Sequence, residues 1–257
     1  MTKFKLLCAG TLVAAMTAQL QAAQISVSVD RPGHRISPTL WGIFFEDINN
    51  SADGGIYPEL VRNRSFEDSE KLENWKFVSE ANHNGLATID ESTPLNPFNR
   101  RSLRIQADGK FTLENDGYWG MNIVAGEGYT FKVAARAVDG FAGPVTVSIL
   151  SSTGAVLAQG NISRPSDHWK YDTLDLTPTG SDVAAKLQIS GAGKGALFLD
   201  MVSLMPKSTW KNHGLRIDLA ESIRALHPAF MRFPGGCWVE GDDLAHMNHW
   251  KETIGDI

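Results

Sequence analysis

The sequence predicts a multidomain chain of mixed class, in which the start of a (β/α)8 TIM barrel, α/β in character, is interrupted by an inserted all-β sandwich. Three observations predict it. Leu40–Phe45 is a continuous apolar run of the kind found in parallel strands covered on both faces, and Ala229–Phe233 is a second short, mainly apolar run. Between about residues 70 and 206 the helical period disappears, and short alternating runs recur between Gly, Asp, Asn and Pro turns. Immediately before the second apolar run, Leu215, Leu219, Ile223 and Leu226 fall at helical spacing on one face. With the middle removed, the chain reads strand, polar loop, helix, strand. Loops after strands are where (β/α)8 barrels accept insertions.

Residues 1–23 read as a secretory signal: Lys3 and Lys5 precede the apolar stretch Leu6–Ala18, and Gln21-Ala22-Ala23 offers a small-residue cleavage site. The apolar stretch is too short to span a bilayer. The expected location is secreted or periplasmic, with no membrane attachment once the signal is removed. Cleavage leaves Cys237 as the single cysteine, so no internal disulfide is expected. A formal charge of −5 and the lack of a Lys/Arg cluster exclude the basic face of a nucleic-acid binder.

Ile25–Val29 alternates strictly and predicts a strand with one buried face, within a segment 24–35. The segment 36–69 holds the first βα part of the barrel. Its strand Leu40–Phe45 ends on Glu46 and Asp47, which spacing alone explains better as solvated loop carboxylates. A glycine-rich loop follows, and Ile56–Val61, with Pro58 near its first turn, predicts a short helix. The sandwich, residues 70–206, is announced by the pairs and triplets Leu103/Ile105, Tyr129/Phe131/Val133, Val145/Val147/Ile149, Trp169/Tyr171 and Leu197/Leu199. Its aromatic residues, Trp75, Phe77, Tyr118, Trp119, Phe141, Trp169 and Tyr171, are expected mainly in the core, with a sugar-stacking platform as the alternative.

Residues 207–257 resume the barrel. The helix ends at His227-Pro228, and the strand Ala229–Phe233 breaks at Pro234-Gly235-Gly236. Parallel neighbours carry their carboxyl ends on one side, so Glu46 and the Gly235-Gly236-Cys237 turn should open onto a common rim. Cys237 reads as pocket lining or packing, because no base stands at diagnostic spacing to activate it. His246 and His249 lack the further ligands of a zinc pattern, so no metal and no cofactor is expected.

These stretches carry a resemblance. Leu40–Ile48, Gly54–Glu67, Asp200–Leu204, Gly214–Leu219, Arg232–Gly241 and Trp250–Gly255, taken in order, resemble the glycoside hydrolase family 51 α-L-arabinofuranosidases, of the secreted type with an inserted carbohydrate-binding-like domain. The resemblance implies a jelly-roll sandwich like a carbohydrate-binding module. It also implies a second, terminal β-sandwich that begins at Ile25–Val29 and is completed past Ile257. It implies that Glu46 hydrogen-bonds the arabinofuranosyl ring and that Gly235, Gly236 and Cys237 line the same subsite. The implied reaction is retaining hydrolysis of terminal α-L-arabinofuranosyl groups from plant polysaccharides or oligosaccharides. Its two carboxyl groups, about 5–5.5 Å apart, belong to later barrel strands, so no catalytic residue is expected in this chain. The sequence is accordingly read as an amino-terminal fragment, inactive alone, of a protein that forms homo-oligomers at full length. The alternative reading is a secreted carbohydrate-binding module that performs no chemistry.

Overall fold

The computed structural model describes residues 25–80, 84–244, 246–249 and 251. The predicted signal lies outside them. The chain divides into two compact units, Met1–Leu40 and Trp41–Ile257. In the first, the described residues 25–40 contain turns and no strand or helix. The strand predicted at Ile25–Val29 is therefore absent. Its apolar face, Ile25, Val27 and Val29, is largely exposed, and no ladder pairs with it among the described residues. An alternating segment becomes a strand only when another edge takes up its N–H and C=O groups.

The second unit is dominated by antiparallel strands. In chain order they are β2 (Trp75–Ser79), β3 (Leu86–Asp90), β4 (Ser102–Asn115), β5 (Met121–Ile123), β6 (Tyr129–Val138), β7 (Val145–Leu150), β8 (Val156–Asn161), β9 (Lys170–Leu176) and β10 (Asp182–Pro206). Two long strands, β4 and β10, run through both halves of the assembly. The first part of β10 pairs with β7 and with the end of β4, extending to β2 and β8. Its second part pairs with β6 and with the start of β4, extending to β3 and β9. The two strands bend together where Gly193 faces Gly109, and both glycines have positive φ. The two halves share one core. Leu113, Val147, Ile149, Leu187 and Ile189 from one half join Leu103, Ile105, Phe131, Val133, Leu197 and Leu199 from the other, all almost fully buried. The alternation seen in sequence is thus the inward face of a sandwich.

Trp75 and Phe141 are buried in this core, and Phe77 packs against it. Trp119 and Tyr171 are not core residues: they are 74% and 48% exposed. A period-2 pattern places a residue on a face without saying which face is inward, and Tyr171 sits on the outer one.

Two features depart from the sequence reading. Ile56–Val61 forms no helix. It runs extended against β10, with the Leu60 N–H donating to the Leu204 carbonyl (3.1 Å) and the Val202 N–H donating to the Arg64 carbonyl (2.8 Å). The buried Glu59 carboxylate holds it there. It accepts from the N–H groups of Val61 (3.0 Å) and Leu204 (2.9 Å) and from the Ser203 hydroxyl (2.6 Å). Three such bonds outweigh the weak helix preference of so short a segment. Val61 and Phe66, on the barrel side of residue 70 by sequence, are also fully buried in the sandwich core. The second departure is a bulge in β10. The register shifts by one between Asp200 and Ser203, where Met201 takes a positive φ of 47°. The shift turns Val202 and Leu204 inward while Leu197 and Leu199 remain inward on the other side of it.

The remaining elements form the small α/β part. Helix α1 (Ile217–Ala225) falls where the apolar spacing predicts it. Strand β1 (Ile43–Phe44) pairs parallel with β11 (Met231–Arg232), and the short helix α2 (Cys237–Glu240) follows β11. No helix of the described residues is long and apolar enough to cross a membrane.

Candidate functional site

The parallel pair β1–β11 builds the site. Its ladder runs from the Ala229 N–H on the Trp41 carbonyl (3.2 Å), through the Ile43 and Phe45 N–H groups on the Phe230 and Arg232 carbonyls (both 2.9 Å), to the Asp47 N–H on the Pro234 carbonyl (3.2 Å). Gly42 permits this approach, since a Cβ there would lie 2.5 Å from the Phe230 carbonyl oxygen. Phe45 and Phe233 pack with ring centroids 5.8 Å apart, and the Arg232 guanidinium lies 5.0 Å from the Phe44 ring centroid.

Both strands end on the same side, and their tips touch. The Gly236 N–H donates to Glu46 Oε1 at 3.2 Å. Gly235 lies against the Glu46 side chain: a Cβ on it would stand 2.6 Å from Glu46 Cγ, and its φ of 146° is one that side-chain-bearing residues avoid. Position 235 thus fits only glycine, and the Gly236 N–H fixes where the carboxylate points. Behind Glu46, the Ser51 hydroxyl donates to its carbonyl (2.6 Å), and Asp47 Oδ1 accepts from the Ala52 N–H (3.2 Å). Glu46 is half-buried, Gly235 buried, and Cys237 carries a free, exposed thiol on the first turn of α2. Of the residues singled out by sequence, the structure therefore gathers Glu46, Gly235, Gly236 and Cys237 at one rim.

The loop beyond Asp47 adds groups that spacing did not reveal. Asp53 lies 3.8 Å from the Arg64 guanidinium, and Arg64 stands 5.9 Å from the Tyr57 ring centroid. Burial raises the Asp53 pKa, with Arg64 opposing the rise, and burial also raises that of the Tyr57 phenol. The Gly54 backbone approaches the Tyr118 ring so closely that a Cβ would fall 2.4 Å from it. His246 pairs with Asp243 (2.7 Å) and gathers no further ligand. Among the described residues, no group of three or more His, Cys, Asp or Glu side chains could hold a metal ion.

A family described as "Alpha-L-arabinofuranosidase 1 domain" matches residues 222–257, which include β11 and the glycine turn. The chain is 36% identical to α-L-arabinofuranosidase 2 of Arabidopsis thaliana, over 94% of its own length and 37% of the relative's. It is also 36% identical to an extracellular exo-α-L-arabinofuranosidase of Streptomyces chartreusis, over 98% of its length and 32% of the relative's. Among solved structures it matches an arabinose-bound α-L-arabinofuranosidase, MgGH51, with a TM-score of 0.79 and 31% identity, over 88% of this chain and 39% of the other. These likenesses are to glycoside hydrolases. More narrowly, over most of its own length the chain is similar to α-L-arabinofuranosidases. It spans little more than a third of the length of the relatives it matches.

Proposed function

We propose that this chain supplies part of the arabinose subsite of a secreted, retaining α-L-arabinofuranosidase that acts on arabinose-bearing plant glycans. The observation that carries the reading is the contact between the Glu46 carboxylate and the Gly235-Gly236 turn, at the ends of two adjacent parallel strands. A furanosyl ring presents hydroxyl donors, and an ionised carboxylate offers several acceptor positions to meet them. The two glycines leave backbone within reach of a small ring. Cys237, exposed beside them, lines the same rim.

The chemistry itself needs a nucleophile and an acid/base carboxyl group about 5–5.5 Å apart. Glu46 holds a binding role in this reading, and the catalytic pair comes from strands outside these 257 residues. The family's other strands would complete the barrel and cover the apolar side chains of the β1–β11 pair, of which Phe44, Phe230, Met231 and Phe233 are about half exposed or more. The extracellular name of the Streptomyces relative supports export.

An aryl α-L-arabinofuranoside assay tests the proposal on the product of the uninterrupted reading frame and on the 257-residue chain. The longer protein should turn substrate over with retained anomeric configuration by NMR, and the 257-residue chain should not. In the longer protein, Glu46→Gln and Gly235→Ala should each lower kcat/KM by at least about tenfold, the size of one lost charged hydrogen bond. Turnover by the 257-residue chain, or unaltered kinetics in Glu46→Gln, would overturn the assignment.

A further inference from the structure

Away from the Glu46 rim, the outer face of the β10–β6–β9 sheet carries a second feature: a cleft of about 650 Å³. This volume lies within the range of small-ligand sites, about 300–1,000 Å³. The strand register explains its lining. Thr173, Lys132 and Ser203 stand side by side across β9, β6 and β10. One step along, Tyr171 lies opposite the fully buried Ala134. The extended segment before the sandwich forms the opposite wall, contributing Tyr57 and Arg64.

An outer face that faced only water would need no such assembly. Two phenol rings offer flat apolar surface with a polar tip, suited to a ring-shaped polyol. Hydroxyl and cationic donors converge between them. Asp175 at the edge of the cleft is taken by Lys207 (2.6 Å), and Arg64 stands between Asp53 (3.8 Å) and the buried Glu59 (3.9 Å). Lys132 forms no ion pair among the described residues, and its two cross-strand neighbours are uncharged. The cleft therefore offers an ammonium group without an ion-pair partner among the described residues, between two aromatic walls, with a guanidinium already held by two carboxylates on the opposite side.

We propose that this cleft is a second glycan site, selective for an oligosaccharide that carries uronic acid carboxylates. Tyr171 and Tyr57 hold the sugar rings, and Lys132 takes the carboxylate. The ligand class rests on the arabinofuranosidase reading; the cleft is lined by none of Glu46, Gly235, Gly236 and Cys237. In the enzyme, such a site would hold the acidic backbone of a plant polymer while an arabinose side chain occupies the Glu46 rim.

The test is calorimetric titration of the 257-residue chain with trigalacturonate and with neutral galactotriose, at two salt concentrations. Trigalacturonate should bind, more tightly than galactotriose and less tightly as salt rises. Lys132→Ala should weaken trigalacturonate binding about tenfold and remove most of its salt dependence, with little effect on galactotriose. Tyr171→Ala should weaken both. Both side chains are exposed, and thermal unfolding of each variant should match that of the parent, which separates lost binding from lost fold. Equal affinity for the two trisaccharides, indifference to Lys132→Ala or Tyr171→Ala, or no binding at all would each overturn the proposal. Glu46→Gln should leave the titration unchanged, so failure of the arabinose subsite and failure of this cleft are told apart.

Discussion

Asp200 shows how much one side chain can hold against the fold. It is fully buried on β10, beside the bulge. Its Oδ1 accepts the Met201 N–H at 2.7 Å, and its Oδ2 finds no partner among the described residues. Ser102 Oγ, one position beyond the Leu103–Leu199 pair on the neighbouring strand, is likewise buried without one. Burial pushes the Asp200 carboxyl up to about 8, helped by the nearby charge of Glu67 and opposed by the Met201 N–H. A carboxyl whose pKa is higher folded than unfolded leaves the native state binding more protons, so stability is greatest below the unfolded value and falls as pH rises. The window runs from about pH 4 to about pH 8, and the full effect has an upper bound of about 6 kcal/mol. Asp200→Asn should flatten the fall in Tm across that window and raise Tm at pH 8. Thermal unfolding at several pH values measures it, and a parent protein whose Tm is flat over the same range would refute it.

At the scale of elements, the decisive piece is the extended segment around Glu59. Its carboxylate joins two chain segments 144 and 145 positions apart in sequence, through Ser203 and Leu204. Glu59→Ala would strand the buried Val61 and Leu204 N–H groups and cost about 3 kcal/mol. Glu59→Gln keeps an oxygen for both donors and should cost about 1 kcal/mol. Chemical denaturation of the two variants gives the comparison, and equal losses would mean that the side chain only fills space. This element also marks the limit of sequence reading. Alternation at Leu103/Ile105 and Leu197/Leu199, and helical spacing from Leu215 to Leu226, were legible because burial repeats with the period of the element. Ile56–Val61 was misread as helix because its conformation is set by β10, a partner far away in sequence. The Gly235-Gly236 turn was legible as a break. Its fit against Glu46 was not, since no local pattern states which distant side chain needs the missing Cβ.

For the whole molecule, burial is uneven. The sandwich has one continuous core fed by both of its halves. The β1–β11 pair has two strands and leaves Phe44, Phe230, Met231 and Phe233 open to solvent. Local opening follows low burial, so the small α/β part should open first. Limited proteolysis of the 257-residue chain should cut first within 25–55 or 226–249, and leave a resistant product that contains Trp75–Pro206. Mass spectrometry of the early products reads this out; first cuts inside β4, β6 or β10 would contradict it.

Composition, periodicity and breaker residues by themselves determined that this chain holds a β-sandwich set between the parts of a parallel βα unit. They also predicted that its two apolar strands end on a common side, while the suitability of their tips for a sugar came only from the family resemblance. Each of these is written in neighbouring residues, where the period of an element and the chemistry of a turn are local properties. Only the tertiary structure decided that Glu46 meets the Gly236 N–H, that Glu59 pins an extended segment to β10, and that Tyr57, Lys132 and Tyr171 enclose one cleft. Those contacts depend on strand register, bulges and close backbone approach between segments distant in sequence, and such relations exist only once the chain has packed.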